Sequence, residues 1–300
     1  MQMADFRLEV FHTVARRLSF TKAAHELFIT QPAVTKHIRE LEEQYKVRLF
    51  ERNGNRIKLT KAGEVLFSHC EHLFDIYRKI EFEMNALVNR QTGILRIGAS
   101  TTISQYVIPP LLAGFHQKFP DIKITLTNGN TETIENALIH KEIDLGLIEG
   151  ETKNQQISYS EFIKDEIVLV CRKDHALTRQ GEISINQLKD YPFIIRERGS
   201  GTLEVIEHAL QTIGIKLDDL DIQMQLGTTE AIKSYLLNSD CIAFMSVYAV
   251  SKELNTGDIR IIDVAGTDIS RFFYLIHLQG KADGLSEMFI RYARHAHNLK

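Results

Sequence analysis

Apolar positions recur at helical spacing from the start of the chain. Over residues 4–17, Leu8, Phe11, Ala15 and Leu18 predict a first helix. Ser19 or Thr21 can cap a second helix, in which Ala23, Ala24 and Leu27 form an inward stripe and the two alanines allow close helix crossing. Thr30 then caps a third helix. Pro32 falls in its first turn, where a missing N–H costs little. Val34, Ile38, Leu41 and Tyr45 form the buried face of this helix, and Gln31, Thr35, Lys36 and Arg39 lie opposite. Residues 49–60 read LFERNGNRIKLT, and Asn53-Gly54 is a two-residue hairpin signal. Arg52 and Arg56 flank that turn, with Lys58 beyond it. Three short helices and a basic hairpin predict a winged helix-turn-helix over residues 1–60.

From Lys61 to about Arg90 there is no proline. Leu66, Cys70, Leu73, Tyr77, Ile80, Met84 and Leu87 alternate four and three apart, an a/d seam of about three heptads. The seam predicts a dimerisation helix over 61–90; the alternative is a helix packed on its own domain. Helical spacing does not aim His69, Cys70 and His72 at one point, so no metal site is expected, and Cys70 reads as packing.

After Gln91-Thr92-Gly93 the pattern alternates strand and helix. Strands are expected at 94–100, 122–127, 144–149, 167–172, 193–195, 221–226, 241–245, 259–263 and 272–278, and helices at 103–119, 131–140 and 285–298. This predicts α/β architecture with mostly parallel sheets over 91–300. The chain as a whole reads as an α+β multidomain protein.

Charge sharpens the division. Residues 1–61 hold 12 Lys and Arg against 7 Asp and Glu, a net +5, and the rest carries −8 of the overall −3. A basic head on an acidic body suggests a polyanion-binding module fused to a second function. Apolar runs fall short of a membrane span, the start has no signal-peptide core, and three cysteines make no disulfide framework, so a cytoplasmic protein without membrane partners is expected.

The head has chemistry suited to duplex DNA. Gln31 can pair with a base edge, Thr35 can meet a base or phosphate, and Lys36 and Arg52 can neutralise phosphates. In the body, small hydroxyl residues gather where strands turn into helices: Ser100, Thr101 and Thr102; Gly199-Ser200-Gly201-Thr202; Thr228 and Thr229. Helix N-termini offer unpaired N–H groups and partial positive charge, hydroxyls add donors, and Arg198 can supply a full charge. Three such turns around a cleft suit a small anion, although each residue also has a plain reading as an N-cap. Phe244 and Met245 can wall a cleft or simply fill a core. No P-loop, HExxH, GxSxG or paired CxxC is present, Asp144 and Glu149 share one strand, and His116, His140, His175, His208 and His277 are scattered. A non-enzyme without cofactor is expected; an enzyme or a solute-binding protein using the same cleft is the alternative.

The segment SFTKAAHELFITQPAVTKHIRELEEQYKVRLFERNGNRIKLTKAGE, 19–64, closely resembles the N-terminal domain of LysR-type transcriptional regulators. GASTTISQYVIPPLLAGFHQKFPDIKI, EIDLGLIEG, ERGSGT and GTTEAIK are similar to segments of the family's effector domain. The resemblance implies a bilobed, periplasmic-binding-protein type 2-like body, with one lobe at about 91–163 plus 267–300 and the other at about 164–266. It implies DNA contacts from Thr21, Lys22, Thr30, Gln31, Pro32, Thr35, Lys36, Arg39, Arg52 and Arg56. It implies an effector held by Ser100, Thr101, Thr102, Arg198, Ser200, Thr202, Thr228 and Thr229, with Glu149 facing the cleft to accept an amine or repel acids. The implied partners are double-stranded DNA with a roughly palindromic operator, a small-molecule effector, RNA polymerase, and further copies of the chain as dimer or tetramer. STT, RERGSGT and GTTEAIK are most similar to the branch that includes regulators of sulfur assimilation, which makes sulfate, a reduced-sulfur metabolite or an acetylated amino acid candidate effectors.

Overall fold

The computed structural model describes residues 5–53, 56–87, 92–151, 153–280, 282 and 284–298. The chain divides into two compact units, Met1–Arg90 and Gln91–Lys300.

In the first unit, α1 (Phe6–Arg17), α2 (Phe20–Glu26) and α3 (Gln31–Tyr45) precede a hairpin of β1 (Phe50–Asn53) and β2 (Arg56–Leu59). Each helix start has its own cap. The Asp5 carboxylate accepts from the Arg7 amide, Ser19 rather than Thr21 accepts from the Lys22 amide at 3.3 Å, and Thr30 accepts from the Ala33 amide at 3.4 Å. Val10, Phe11, Val14, Ala23, Val34, Ile38, Leu41 and Leu49 form the core, with Ala23 and Ala24 buried as expected. Leu18 and Tyr45 do not join it. Leu18 is 49% exposed at a left-handed C-cap (φ 44°), and Tyr45, in the last turn of α3, is 47% exposed, because the core ends a turn earlier, at Leu41. The wing pairs antiparallel, with Phe50 opposite Leu59 and Asn53 opposite Arg56, while Gly54 of the predicted turn lies outside the described residues.

The long helix α4 (Lys61–Leu87) serves two environments. Leu66, Phe67, Cys70 and Phe74 pack into the head's own core, with Cys70 only 1% exposed. The reading of the whole seam as a dimer surface is therefore corrected for this first half, where the packed-on-its-own-domain alternative holds. Further along, Ile76, Ile80 and Met84 are 54, 40 and 60% exposed. The Leu87 side chain lies outside the described residues.

The second unit opens with β3 (Gly93–Ser100), a π-helical turn (Ile103–Val107), α5 (Ile108–Lys118), β4 (Ile122–Gly129), α6 (Thr131–Ile139) and β5 (Leu145–Ile148). Then come β6 (Ile157–Arg172), β7 (Glu182–Ile183), β8 (Pro192–Arg196), α7 (Gly201–Thr212), β9 (Asp221–Leu226) and α8 (Thr229–Leu236). It closes with β10 (Ala243–Ser246), α9 (Val247–Thr256), β11 (Ile259–Val264), β12 (Ile269–Leu278) and α10 (Gly284–Asn298).

Two lobes result. In the first, β3 pairs in parallel with β4 and β5, and β12 joins β5 antiparallel. In the second, β8 and β9 are parallel, Phe193 bridges to Ile242, and β10 and β11 flank β6 antiparallel. The expectation of mostly parallel sheets thus fails at β6 and β12. The strand expected at 167–172 begins at Ile157, and β6 pairs antiparallel with β12 from Ile157↔Leu278 to Ile167↔Ile269. Both strands run through both lobes, and their reversed sense follows from crossing in opposite directions.

Each lobe is packed on both sheet faces. Leu95, Ile97, Phe115, Phe273 and Phe289 fill one face of the first lobe, and Ile134, Leu138, Ile143 and Ile276 the other. Gly98 and Gly146 are partners across β3 and β5. A Cβ on either would come within 3.2 Å of Ile134, so the two glycines let α6 sit close. In the second lobe, Leu169 and Cys171 face one cluster and Val170 the opposite one, the period-two alternation of a strand covered on both sides. Phe244 and Met245 belong to those two clusters, which bears out core packing over a cleft wall. Among the described residues no helix is long and apolar enough to cross a membrane.

Candidate functional site

In the head, α3 shows one exposed polar face. Gln31, Pro32, Thr35, Lys36 and Arg39 are all exposed, as are Thr21 and Lys22 on α2 and the cap Thr30. The Gln31 amide donates to Thr35 Oγ1 at 3.0 Å, and Thr35 donates to the Gln31 carbonyl at 3.1 Å, so these groups satisfy one another without DNA. Lys36 lies 3.9 Å from Glu40 and Arg39 2.8 Å from Glu43. Such exposed pairs contribute about 0.3–0.5 kcal/mol and exchange readily for phosphates. Glu42 joins the wing to α3: it accepts from the Leu49 amide at 2.8 Å and from Arg48 Nη1 at 2.8 Å. The strands place Arg52 and Arg56 on the wing, and their side chains lie outside the described residues. His69 and His72 are exposed on α4, and no His, Cys, Asp and Glu cluster fit for a metal occurs among the described residues.

In the body, the predicted turns converge between the lobes. Ser100 ends β3, Thr101 and Thr102 follow it, and the three are 1, 4 and 2% exposed; Ser200, Thr202 and Thr229 from the second lobe are each 4% exposed. Capping accounts for only some of them. Thr228 is exposed and accepts from the Ala231 amide at 3.1 Å, a plain N-cap. Ser200 heads α7, and Thr102 heads the π-helical turn, yet neither makes a capping hydrogen bond through its side chain. Gly201 is needed for close approach: a Cβ there would sit 1.9 Å from the Glu149 carbonyl oxygen.

Charges cross the interface with these hydroxyls. Arg198 is exposed, and the guanidinium between the lobes belongs instead to Arg196, 5% exposed. Arg196 Nη2 donates to Thr101 Oγ1 at 3.3 Å and Nη1 to Thr229 Oγ1 at 3.2 Å, while Glu197 holds its Nε at 2.8 Å. Glu149 is 2% exposed at the end of β5. Ser100 donates to its Oε2, Thr202 donates to its Oε1 at 3.1 Å, and Arg271 Nη1 lies 3.6 Å from Oε1. Its oxygens are thus engaged within the protein, unlike the expectation of a carboxylate open to the cleft.

Arg271, on β12, ties this carboxylate to β6. Its Nε donates to Asp165 Oδ2 at 2.8 Å, its Nη1 to Thr202 at 2.9 Å, and Ser246 donates to Asp165 Oδ1 at 2.8 Å. Burial pushes the Asp165 carboxyl up, against the pull of the Arg271 guanidinium. Nearby, Tyr106 of the first lobe donates to Glu230 of the second. Buried Lys233 sits 2.9 Å from Glu230, 3.0 Å from Glu253 and 5.0 Å over the Tyr106 ring. Burial, then the Glu230 contact, pushes the Tyr106 hydroxyl well up, so it stays a donor.

Sequence reasoning missed Arg196, Arg271, Asp165, Tyr106 and Lys233. For Arg271 a signal existed, a charge inside a strand that is otherwise largely apolar; Asp165 gave none, because Lys164 and Glu166 flank it and the three read as one charged stretch. For Arg196 the signal was position, since it ends the strand whereas Arg198 already lies in the turn.

The family description "Bacterial regulatory helix-turn-helix protein, lysR family" matches residues 6–64, and "LysR substrate binding domain" matches residues 89–298. The HTH-type transcriptional regulator CysL of Bacillus subtilis (strain 168) is 30% identical over 270 residues, 90% of this chain and 89% of that protein. The RuBisCO operon transcriptional regulator of Acidithiobacillus ferrooxidans is 33% identical over 275 residues, 92% of this chain and 88% of that protein. The resemblance therefore does not single out one metabolic branch. Among solved structures, the CcmR regulatory domain of Synechocystis PCC6803 in complex with 2-PG is similar at 29% identity and a TM-score of 0.63, covering 68% of this chain and 97% of that one. With both family descriptions matched in order along its length, the chain belongs to the LysR family of transcriptional regulators, carrying a winged helix-turn-helix and a two-lobed effector-binding body.

Proposed function

We propose that a small anionic metabolite, seated between the two lobes, controls how this regulator acts on its operator. Arg196 carries the reading: a buried guanidinium that meets Thr101 from one lobe and Thr229 from the other. A ligand oxygen taken by this arginine and by the uncapped hydroxyls of Thr102 and Ser200 would bond to both lobes at once. Such a ligand stabilises the lobe arrangement it fits and shifts the population toward it. That the related CcmR domain binds 2-PG, a phosphorylated acid, supports an anion of this size.

The exposed Ile76, Ile80 and Met84 on α4 support pairing with a second copy, which would present two copies of α3 to two half-sites of a roughly palindromic operator. The protein would then work in the cytoplasm beside RNA polymerase, as a regulator without catalytic chemistry. The relatives' names support that reading, since they are regulators.

The test is thermal melting of the full chain against 2-PG, sulfate, phosphate and acetylated amino acids. A ligand at about 100 times its Kd stabilises by about 2.7 kcal/mol. The expected result is a concentration-dependent rise in Tm with one compound, lost in Thr102→Val. A hit that survives Thr102→Val and Arg196→Met would place the ligand elsewhere, and no hit with any anion would remove the anionic reading.

A further inference from the structure

Taking the interlobe reading as its basis, we infer that Glu149 is a built-in ligand: its carboxylate fills a carboxylate site, and an effector bearing a carboxylate enters by displacing it. The surroundings are those a bound acid would have. Two hydroxyls, Ser100 and Thr202, donate to its two oxygens, and a guanidinium, Arg271, stands beside them, each of these residues 5% exposed or less. The donors come from both lobes and from the strand that links them. The same side chain thus holds the lobes together as an effector would.

The fit is imperfect, which makes the carboxylate displaceable. Arg271 Nη1 lies 3.6 Å from Glu149 Oε1, beyond a hydrogen bond. Its Nη2 is buried and has no hydrogen-bond partner. Asp165 takes Nε through Oδ2, and its Oδ1 accepts from Ser246. A guanidinium gains most from a forked, two-bond pairing with a carboxylate. A free acid, not constrained by the backbone at the end of β5, can meet Nη1 and Nη2 together. It cannot do so beside Glu149, because three carboxylates would then crowd one buried guanidinium. Exchange is the arrangement that keeps the charge balanced.

The proposal predicts chemical rescue. In full-length Glu149→Ala, 100 mM acetate should raise Tm by about 3 °C over chloride at equal ionic strength, as for a ligand of roughly 10 mM Kd. In the wild type, where Glu149 holds the site, the rise should stay under about 1 °C. The double variant Glu149→Ala/Arg271→Gln should lose the rescue. If the alanine variant does not fold, Glu149→Ser leaves most of the same space open with a polar side chain, and the same acetate-dependent rise is expected. No rise in either variant, or an equal rise in the wild type, overturns the proposal. An anion that binds the wild type through Thr102 and Arg196 while acetate rescues neither variant would leave the interlobe effector reading standing and remove Glu149 as its competitor.

Discussion

At the scale of single residues, neighbours decide chemistry that residue type leaves open. Burial pushes the Cys70 thiol up to about 12 and the Cys171 thiol up to about 11, so neither carries thiolate near neutrality. Cys241 is 2% exposed, with its thiol 3.6 Å from Gln223. The folded chain is therefore expected to resist a thiol-specific reagent such as Ellman's and to titrate all three cysteines only in denaturant; rapid labelling of Cys70 in the native protein would contradict its place in the head's core. The hydroxyl clusters were legible because small polar residues recur at strand-to-helix turns. The choice between Arg196 and Arg198 was not, because it depends on which side of the strand end each side chain leaves, and two residues apart in sequence became buried against exposed in space.

At the scale of elements, the local rules carry far. Asp5, Ser19, Thr30, Asn130 and Thr228 all accept from backbone amides at helix starts, each such cap being worth about 1 kcal/mol. Periodicity placed Phe11, Ala15, Ala23, Ala24, Val34, Ile38 and Leu41 in the core, passed over the fully buried Val10 and Val14 of α1, and failed at Leu18 and Tyr45, where the helix outruns the core. It also could not split α4, since heptad spacing looks the same whether the apolar face meets its own domain or another chain. The split predicts a mutational contrast. Ile80→Lys, on the exposed half, should leave the Tm within about 1 °C, since surface changes stay near 0.5 kcal/mol, yet give a smaller mass in analytical ultracentrifugation. Unchanged association in Ile80→Lys would move the dimer contact away from this half of α4. Cys70→Ala, on the buried half, is the control: it should lower stability and leave association intact.

At the scale of the whole molecule, charge separates the two tasks. The net +5 of residues 1–61 suits a polyanion, and the exposed face of α3 keeps its cations in weak, exchangeable pairs. Lys36, with 74% of its side chain exposed, is expected to contact phosphate rather than a base. Lys36→Ala should therefore weaken binding to operator and unrelated duplex alike and reduce the salt slope by about 1 per subunit. An altered sequence preference with an unchanged slope would assign Lys36 to base reading. In the body, one buried chain of contacts from Ser100 through Glu149, Thr202 and Arg271 to Asp165 spans both lobes and their linking strands. A ligand that alters any part of it is felt by both lobes, which is the physical requirement for an effector switch.

The amino-acid sequence by itself determined the helices of the head, the hairpin wing, the alternation of strand and helix in the body and the hydroxyl-rich turns. These follow from periodicity, capping and turn chemistry, which act over a few residues. Only the tertiary structure decided that β6 and β12 run through both lobes, that Arg196 and Arg271 supply the buried charge, and that Glu149 is already occupied. Those outcomes depend on residues up to 124 positions apart, such as Tyr106 and Glu230, meeting where water is excluded, and there the pairing of each charge rather than its presence sets what the site can bind.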